Sequence, residues 1–153
     1  MTPPTSILDA WNLANGLVGT PYVYGGGHNK DFAPSRGVEG DEPATGPEGL
    51  DCSGFFCYIA HRVGWLDADF PLNTEALESW GDPGRGEFFT LHVIDIPNVI
   101  HHCILEFELP EHLSKHYIAA RFTGTTIQWY PTDTGPWLVE GYNARRVSDP
   151  GPS

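Results

Sequence analysis

Leu50-Asp51-Cys52-Ser53-Gly54-Phe55-Phe56-Cys57-Tyr58-Ile59-Ala60-His61-Arg62-Val63-Gly64 is the stretch on which the fold turns. Its apolar residues fall on nearly every side of a helical projection, which predicts a buried helix. Asp51 stands where a side-chain oxygen can cap the first free N–H groups, and Gly64 stands just past the end. A helix apolar all round must be covered by other elements, so the flanking sequence has to supply layers around it.

Toward the N-terminus, Ile7, Ala10, Trp11, Ala14 and Val18 recur at three- and four-residue spacing behind Thr5 or Ser6 as cap, predicting a helix over about residues 6–17. Pro21-Tyr22-Val23-Tyr24 reads as a short extended piece closed by Gly25-Gly26-Gly27. Residues 27–49 are rich in Gly, Pro, Asp and Glu with few apolar side chains: a long surface loop, either a lid or specificity element or a disordered insertion. Toward the C-terminus, Asn73-Thr74-Glu75 caps a short helix that ends at Gly81. Phe88–Ile96, Val99–Glu108, His116–Phe122 and Thr125–Tyr130 are then rich in β-branched and aromatic residues and separated by Pro, Gly and polar turns. The layout predicts an α+β fold, with N-terminal helices packed on a C-terminal antiparallel β-sheet. The 153 residues fit a single domain, 1–153, expected as a monomer, with a flexible tail at 149–153.

Eight basic residues against twenty acidic ones give a formal charge of −12, which repels phosphate backbones and anionic lipid surfaces. Neither nucleic acid nor membrane is an expected partner. No stretch approaches the roughly twenty apolar residues that span a bilayer, and Met1-Thr2-Pro3-Pro4 lacks the basic and apolar regions of a signal peptide. Cys52, Cys57 and Cys103 are odd in number and spaced for neither a disulfide framework nor a zinc ribbon. No cofactor is implied.

The chemistry converges on Cys52. A thiol attacks as its thiolate, and an ordinary cysteine pKa of about 8.5 leaves little of that form near neutrality. Free N–H groups and the positive end of the dipole at a helix start lower it, and the same N–H groups can hold an oxyanion. The bland alternative is that Cys52 is a small buried hydrophobe, as Cys57 and Cys103 are expected to be. A thiol also needs an imidazole, and Val99-Ile100-His101-His102-Cys103-Ile104-Leu105 offers two on one predicted strand. Successive strand residues point to opposite faces, so one of His101 and His102 can look at the Cys52 helix.

Gly19-Thr20-Pro21-Tyr22-Val23-Tyr24-Gly25-Gly26, then Leu50-Asp51-Cys52-Ser53-Gly54-Phe55, then His102-Cys103-Ile104-Leu105 together resemble the NlpC/P60 cysteine peptidases in order, residue type and approximate gaps. The likeness covers roughly residues 6–125. It implies a papain-like α+β fold and hydrolysis of peptidoglycan stem peptides, typically at the γ-D-glutamyl–diaminopimelate bond. By the same likeness Cys52 attacks, His102 serves as base and then acid, and Tyr22, Asp51 and Ser53 line the substrate cleft. Two departures stand out. Gly84-Arg85-Gly86-Glu87-Phe88-Phe89 only loosely echoes the family's Pro-Gly-Asp turn, and the polar residue that orients the histidine is not obvious: His116 and Gln128 are the candidates, and straight counting falls on Ala119. The resemblance together with the missing export signal suggests a phage lysin or tail-associated hydrolase, a domain cut from a longer chain, or a cytoplasmic recycling peptidase.

Two other classes compete. A non-catalytic module that binds wall peptides or a protein would keep the groove without a working site. A metal protein could draw on His101, His102, His112 and His116, although Pro110 and the β-rich sequence after Lys115 argue against the helix that an i, i+4 pair at His112 and His116 would need.

Overall fold

A computed structural model describes residues 3–39, 42–43, 46–96, 100–111, 116–130 and 142–147. In chain order its elements are α1 (Thr5–Gly16), β1 (Val38–Glu39), β2 (Glu42–Pro43), α2 (Cys52–Arg62), α3 (Thr74–Leu77), β3 (Asp82–Pro83), β4 (Phe89–Ile96), β5 (Ile100–Phe107), β6 (Tyr117–Ala119), β7 (Gln128–Tyr130) and β8 (Tyr142–Arg146). The main sheet runs β3-β8-β4-β5-β6-β7 with every neighbouring pair antiparallel, and the helices come first. The α+β layout expected from the sequence is the one observed.

α2 is the buried helix at the centre. Asp51 caps it, accepting the Gly54 N–H at 2.6 Å, and Phe55, Phe56, Cys57, Ile59 and Ala60 are wholly enclosed. α2 packs on β5, α1 and α3. The sheet answers with one parity of its strands: the cross-strand pairs Phe89–Phe107, Leu91–Leu105 and Val93–Cys103 all enter the core beneath the helices. The other parity places Ile94, Ile104 and Ala119 in a second cluster on the opposite face. Phe56, Trp80, Trp65, Phe89 and Phe107 meet through ring contacts with centroids 4.8–6.4 Å apart, so large planar side chains fill the layer between helix and sheet.

That second face also holds charge. Glu106 is buried, yet it accepts from His92 Nε2 at 2.8 Å, from Arg85 at 2.6 and 2.9 Å, and from the Tyr117 hydroxyl at 3.1 Å. Burial would raise its carboxyl pKa, but the His92 hydrogen bond and the charges of His92 and Arg85 hold it down at about 2.

The chain departs from its sequence pattern in particular places. α1 begins at Thr5 after Pro4 with no side-chain cap, so neither Thr5 nor Ser6 plays the expected part; a proline at that boundary has no N–H to leave unpaired. Ile7, Ala10, Trp11 and Ala14 are buried as their spacing predicts, but the helix stops at Gly16 and leaves Val18 exposed. β6 spans only Tyr117–Ala119, and β7 is shorter than its run suggested because Thr125, Thr126 and Ile127 pair with the Gly19–Tyr22 segment instead of extending the strand. β8 had no apolar alternation to announce it; Tyr142-Asn143-Ala144-Arg145-Arg146 is a strand because the edge of β4 supplies partners. The 27–49 loop is anchored where it is described. Phe32 is buried and stacks on His61 with ring centroids 3.9 Å apart, Asn29 bonds Asp31 and Ala33, and Ser35 pairs with Gly49. The 149–153 tail lies outside the described residues.

The glycines of the signature stretches are there because backbones touch. A Cβ on Gly54 would lie 2.3 Å from the Gly26 carbonyl oxygen, and one on Gly26 would lie 2.4 Å from that of Gly49. Gly54→Ala should therefore lower stability by about 1–3 kcal/mol, read as a lower urea midpoint with unchanged slope. Glu106 makes a second prediction. Its pKa is depressed, so its contribution is present above the unfolded value of 4.5 and is lost as pH falls toward about 2. Glu106→Gln should flatten that acid limb in urea titrations run across the window.

Candidate active site

Cys52 is the first residue of α2, so its N–H and that of Ser53 lie outside the intrahelical ladder. The sulfur is nearly enclosed, with 6% of the residue exposed. It lies 3.8 Å from Thr74 Oγ1 and 3.9 Å from the His101 carbonyl oxygen. The helix N-terminus thus rests over the start of β5, where His101 is exposed and offers its backbone while His102 is half-buried and offers its ring.

This setting acidifies the thiol. A hydrogen bond from the Cys103 thiol, then the hydrogen bond and charge of His102, hold the Cys52 pKa well below its ordinary value, against burial and the charge of Asp51. Cys103 moves the other way: its bond to Cys52, its burial and the nearby charge raise its pKa well above the usual thiol range. Cys57 is pushed up to about 12 by burial and donates to the Leu72 carbonyl at 3.4 Å. One of three buried thiols is therefore set to ionise, and its two neighbours are set to stay protonated.

Tyr22 is brought to the same place by backbone pairing. Its N–H bonds the Thr125 carbonyl at 2.9 Å, while Leu50 N–H bonds Pro21 and Val23 N–H bonds Leu50, so the Pro21–Val23 piece is clamped between the segment leading into β7 and the entry to α2. Burial, then the charges of Cys52 and Asp51, raise the phenol pKa, leaving it a neutral donor. Asp51 and Ser53 flank the cysteine, with the Ser53 hydroxyl donating to Asp51 Oδ1 at 3.2 Å.

Cys52, His102, Tyr22, Asp51 and Ser53 are thus gathered, whereas His116 and Gln128 are not. The register places the His116 backbone opposite Phe107, at the far end of β5 from His102 and roughly 17 Å away by strand rise. Gln128 is exposed on β7, two strands from β5, and donates to Thr126 Oγ1. Ala119, where counting falls, has no polar side chain and belongs to the second cluster. His112 lies outside the described residues, and among the described residues no group of three or more His, Cys, Asp or Glu side chains is placed to hold a metal ion. Three residues at the site were not singled out from the sequence. Thr74 follows the recognised Asn73 cap, Cys103 was read as packing, and His28 reaches from the loop to within 3.0 Å of both Asp51 Oδ1 and Ser53 Oγ.

No family model and no curated protein sequence matches the chain. Solved structures do. The P60 domain of an antigen from Mycobacterium avium subspecies paratuberculosis superposes with a TM-score of 0.65 at 20% identity, covering 94% of this chain and 96% of that one. The fold is that of the NlpC/P60 domains. The peptidoglycan hydrolase RipB of Mycobacterium tuberculosis follows at 0.64 and 18% identity, covering 94% of this chain and 65% of that one. RipA, the Resuscitation Promoting Factor Interacting protein, mutated at a cysteine, gives 0.63 and 21% identity, covering 94% of this chain and 63% of its own. The chain therefore spans less than two thirds of the RipA and RipB structures while matching an isolated P60 domain nearly end to end. No helix among the described residues is long and apolar enough to cross a membrane.

The thiol settings give a direct expectation. Iodoacetamide at neutral pH should modify Cys52 and spare Cys57 and Cys103, as mapped by mass spectrometry, and Cys103→Ala or His102→Ala should move the alkylation midpoint to higher pH. Labelling of Cys52 that starts only above about pH 8, where an ordinary thiol ionises, would contradict the acidified thiol.

Proposed function

We propose that the chain is a cysteine endopeptidase that hydrolyses peptidoglycan stem peptides through a Cys52 thiolate and a His102 base. The observation that carries this is the placement of Cys52 as the first residue of α2, over the start of β5 that holds His102, whose hydrogen bond and charge help lower the thiol pKa. The NlpC/P60 fold and its presence in the hydrolase RipB support it. The bond we assign is γ-D-glutamyl–diaminopimelate, on the resemblance of the three sequence motifs to that family.

In this mechanism the Cys52 sulfur attacks the scissile carbonyl carbon. The oxyanion that forms is held by N–H groups at the start of α2, the Cys52 N–H foremost, which point outward because no helical carbonyl lies within their reach. His102 holds the proton taken from the thiol and gives it to the departing amine, which leaves a thioester on Cys52. Water, activated by the now neutral His102, attacks the thioester and restores the thiol. Tyr22, Asp51 and Ser53 line the cleft and supply a neutral phenol, a carboxylate and a hydroxyl for the peptide. With a formal charge of −12, capture of an anionic wall must come from such local contacts and not from the field of the whole protein.

The remoteness of His116 from His102 favours a second possibility, a module that binds wall peptides without cutting them. Digestion of diaminopimelate-type peptidoglycan by wild type and Cys52→Ala separates the two. Release of muropeptides by wild type alone, identified by mass spectrometry, establishes the nucleophile and the bond, and His102→Ala should lower the rate by about 10²–10⁴. Binding without release by either protein would place the non-catalytic module first.

A further inference from the structure

The mechanism above makes no use of His28, yet the fold goes to some length to place it. The residue belongs to the loop, not to a helix or strand. The backbone on either side of it is held by Gly27 N–H donating to Ser35 Oγ at 3.0 Å, Asn29 N–H donating to the Gly27 carbonyl at 3.0 Å, and Gly26 N–H donating to the Val23 carbonyl at 2.8 Å. Its Nε2–H donates to Asp51 Oδ1 and to Ser53 Oγ, both at 3.0 Å, because the carboxylate can only accept. The side chains of His28 and Asp51 are 21% and 15% exposed, so the pair is shielded but still open to a ligand.

Asp51 divides its two oxygens. Oδ1 takes the Gly54 N–H, the Ser53 hydroxyl and the His28 Nε2–H, whereas Oδ2 accepts no hydrogen bond among the described residues. The Nε2–H bond survives in both the neutral and the protonated imidazole, so the geometry of the pair stays put while its charge changes. With His28 neutral, the pair carries one negative charge beside Cys52; with His28 protonated, it carries none.

We propose that His28 is a positioning residue whose protonation sets the charge of the Asp51–Ser53 wall, so that this wall takes a cationic group of the peptide substrate when His28 is neutral and releases it when His28 is charged. This rests on Asp51 and Ser53 lining the substrate cleft, as assigned under the proposed function. The titratable groups that face the imidazole among the described residues are Asp51 and Cys52, both at the start of α2. The hydrogen bond to Asp51 raises the His28 pKa above 6.5, burial opposes it, and the charges of Asp51 and Cys52 add to the rise. A raised histidine pKa means that the proton is held more tightly in the folded protein, so the wall is neutral below the shifted value and negative above it.

Two measurements test this. The first needs no activity: the His28 imidazole is titrated by NMR in wild type and in Asp51→Asn. It should titrate above 6.5 in wild type and at a lower value in the variant. The same pKa in both proteins would overturn the proposal. The second follows KM against pH for a stem peptide with a free amino end, in wild type and His28→Asn. Wild-type KM should fall roughly three- to fivefold as pH rises through the NMR value, the scale of a partly exposed ion pair, and the profile of KM rather than kcat should flatten in the variant. Identical KM profiles would overturn the proposal. If wild type binds the peptide without cutting it, the endopeptidase assignment fails on its own, and the same comparison is read in Kd by calorimetry.

Discussion

The Asp51 carboxylate is the constraint on which the rest hangs. By accepting the Gly54 N–H at 2.6 Å it starts α2 at Cys52, and by accepting from Ser53 and His28 it ties the helix to the loop that precedes it. That start leaves the Cys52 and Ser53 N–H groups outside the intrahelical ladder beside the thiol, which is what makes its position useful. The close passage of Gly26 against Gly54 belongs to the same junction, since a side chain at either glycine would push the loop off the helix end.

Around that junction the fold is a problem of covering an apolar cylinder. α2 is apolar on nearly all sides, so α1, α3 and the sheet must each take a share of it. β4 and β5 meet it with alternate residues, and because a strand has a period of two, the residues between are delivered to the opposite face whether or not they are apolar, except for His102 at the start of β5, whose ring meets Cys52. His92 and Glu106 fall there. Their burial is tolerable because Arg85 and Tyr117 complete the hydrogen bonding of the carboxylate, leaving no naked charge.

The reacting groups show a division of labour between chemistry and position. Three cysteines share one core, and their pKa values spread apart because hydrogen bonds from Cys103 and His102 and the His102 charge lower Cys52, while burial raises Cys57 and the Cys52 bond together with burial raises Cys103. Burial alone would have raised all three. The low value at Cys52 comes from donors around the sulfur, and those donors come from β5, a strand remote in sequence.

Much of this was legible beforehand. The apolar run after Asp51, the caps at Asp51 and Asn73, the α1 stripe and the parity of β4 and β5 follow from local periodicity and hydrogen-bonding chemistry, which a chain carries residue by residue. The three motifs marked Cys52, His102, Tyr22, Asp51 and Ser53 as a set, and the structure does gather them. What local pattern could not supply was pairing. β8 is a strand because β4 has an edge to fill, His116 is distant from His102 because of the β5–β6 register, and Cys103 is more than packing because the start of α2 lies over it. His28, in a loop of polar residues, had no periodicity to mark it and is placed by contacts with residues more than twenty positions away. Sequence by itself determined which segments could bury a face and which residue types could react; tertiary structure alone decided which of those residues meet, because hydrogen bonds act through space over a few ångströms and charges over about 10 Å.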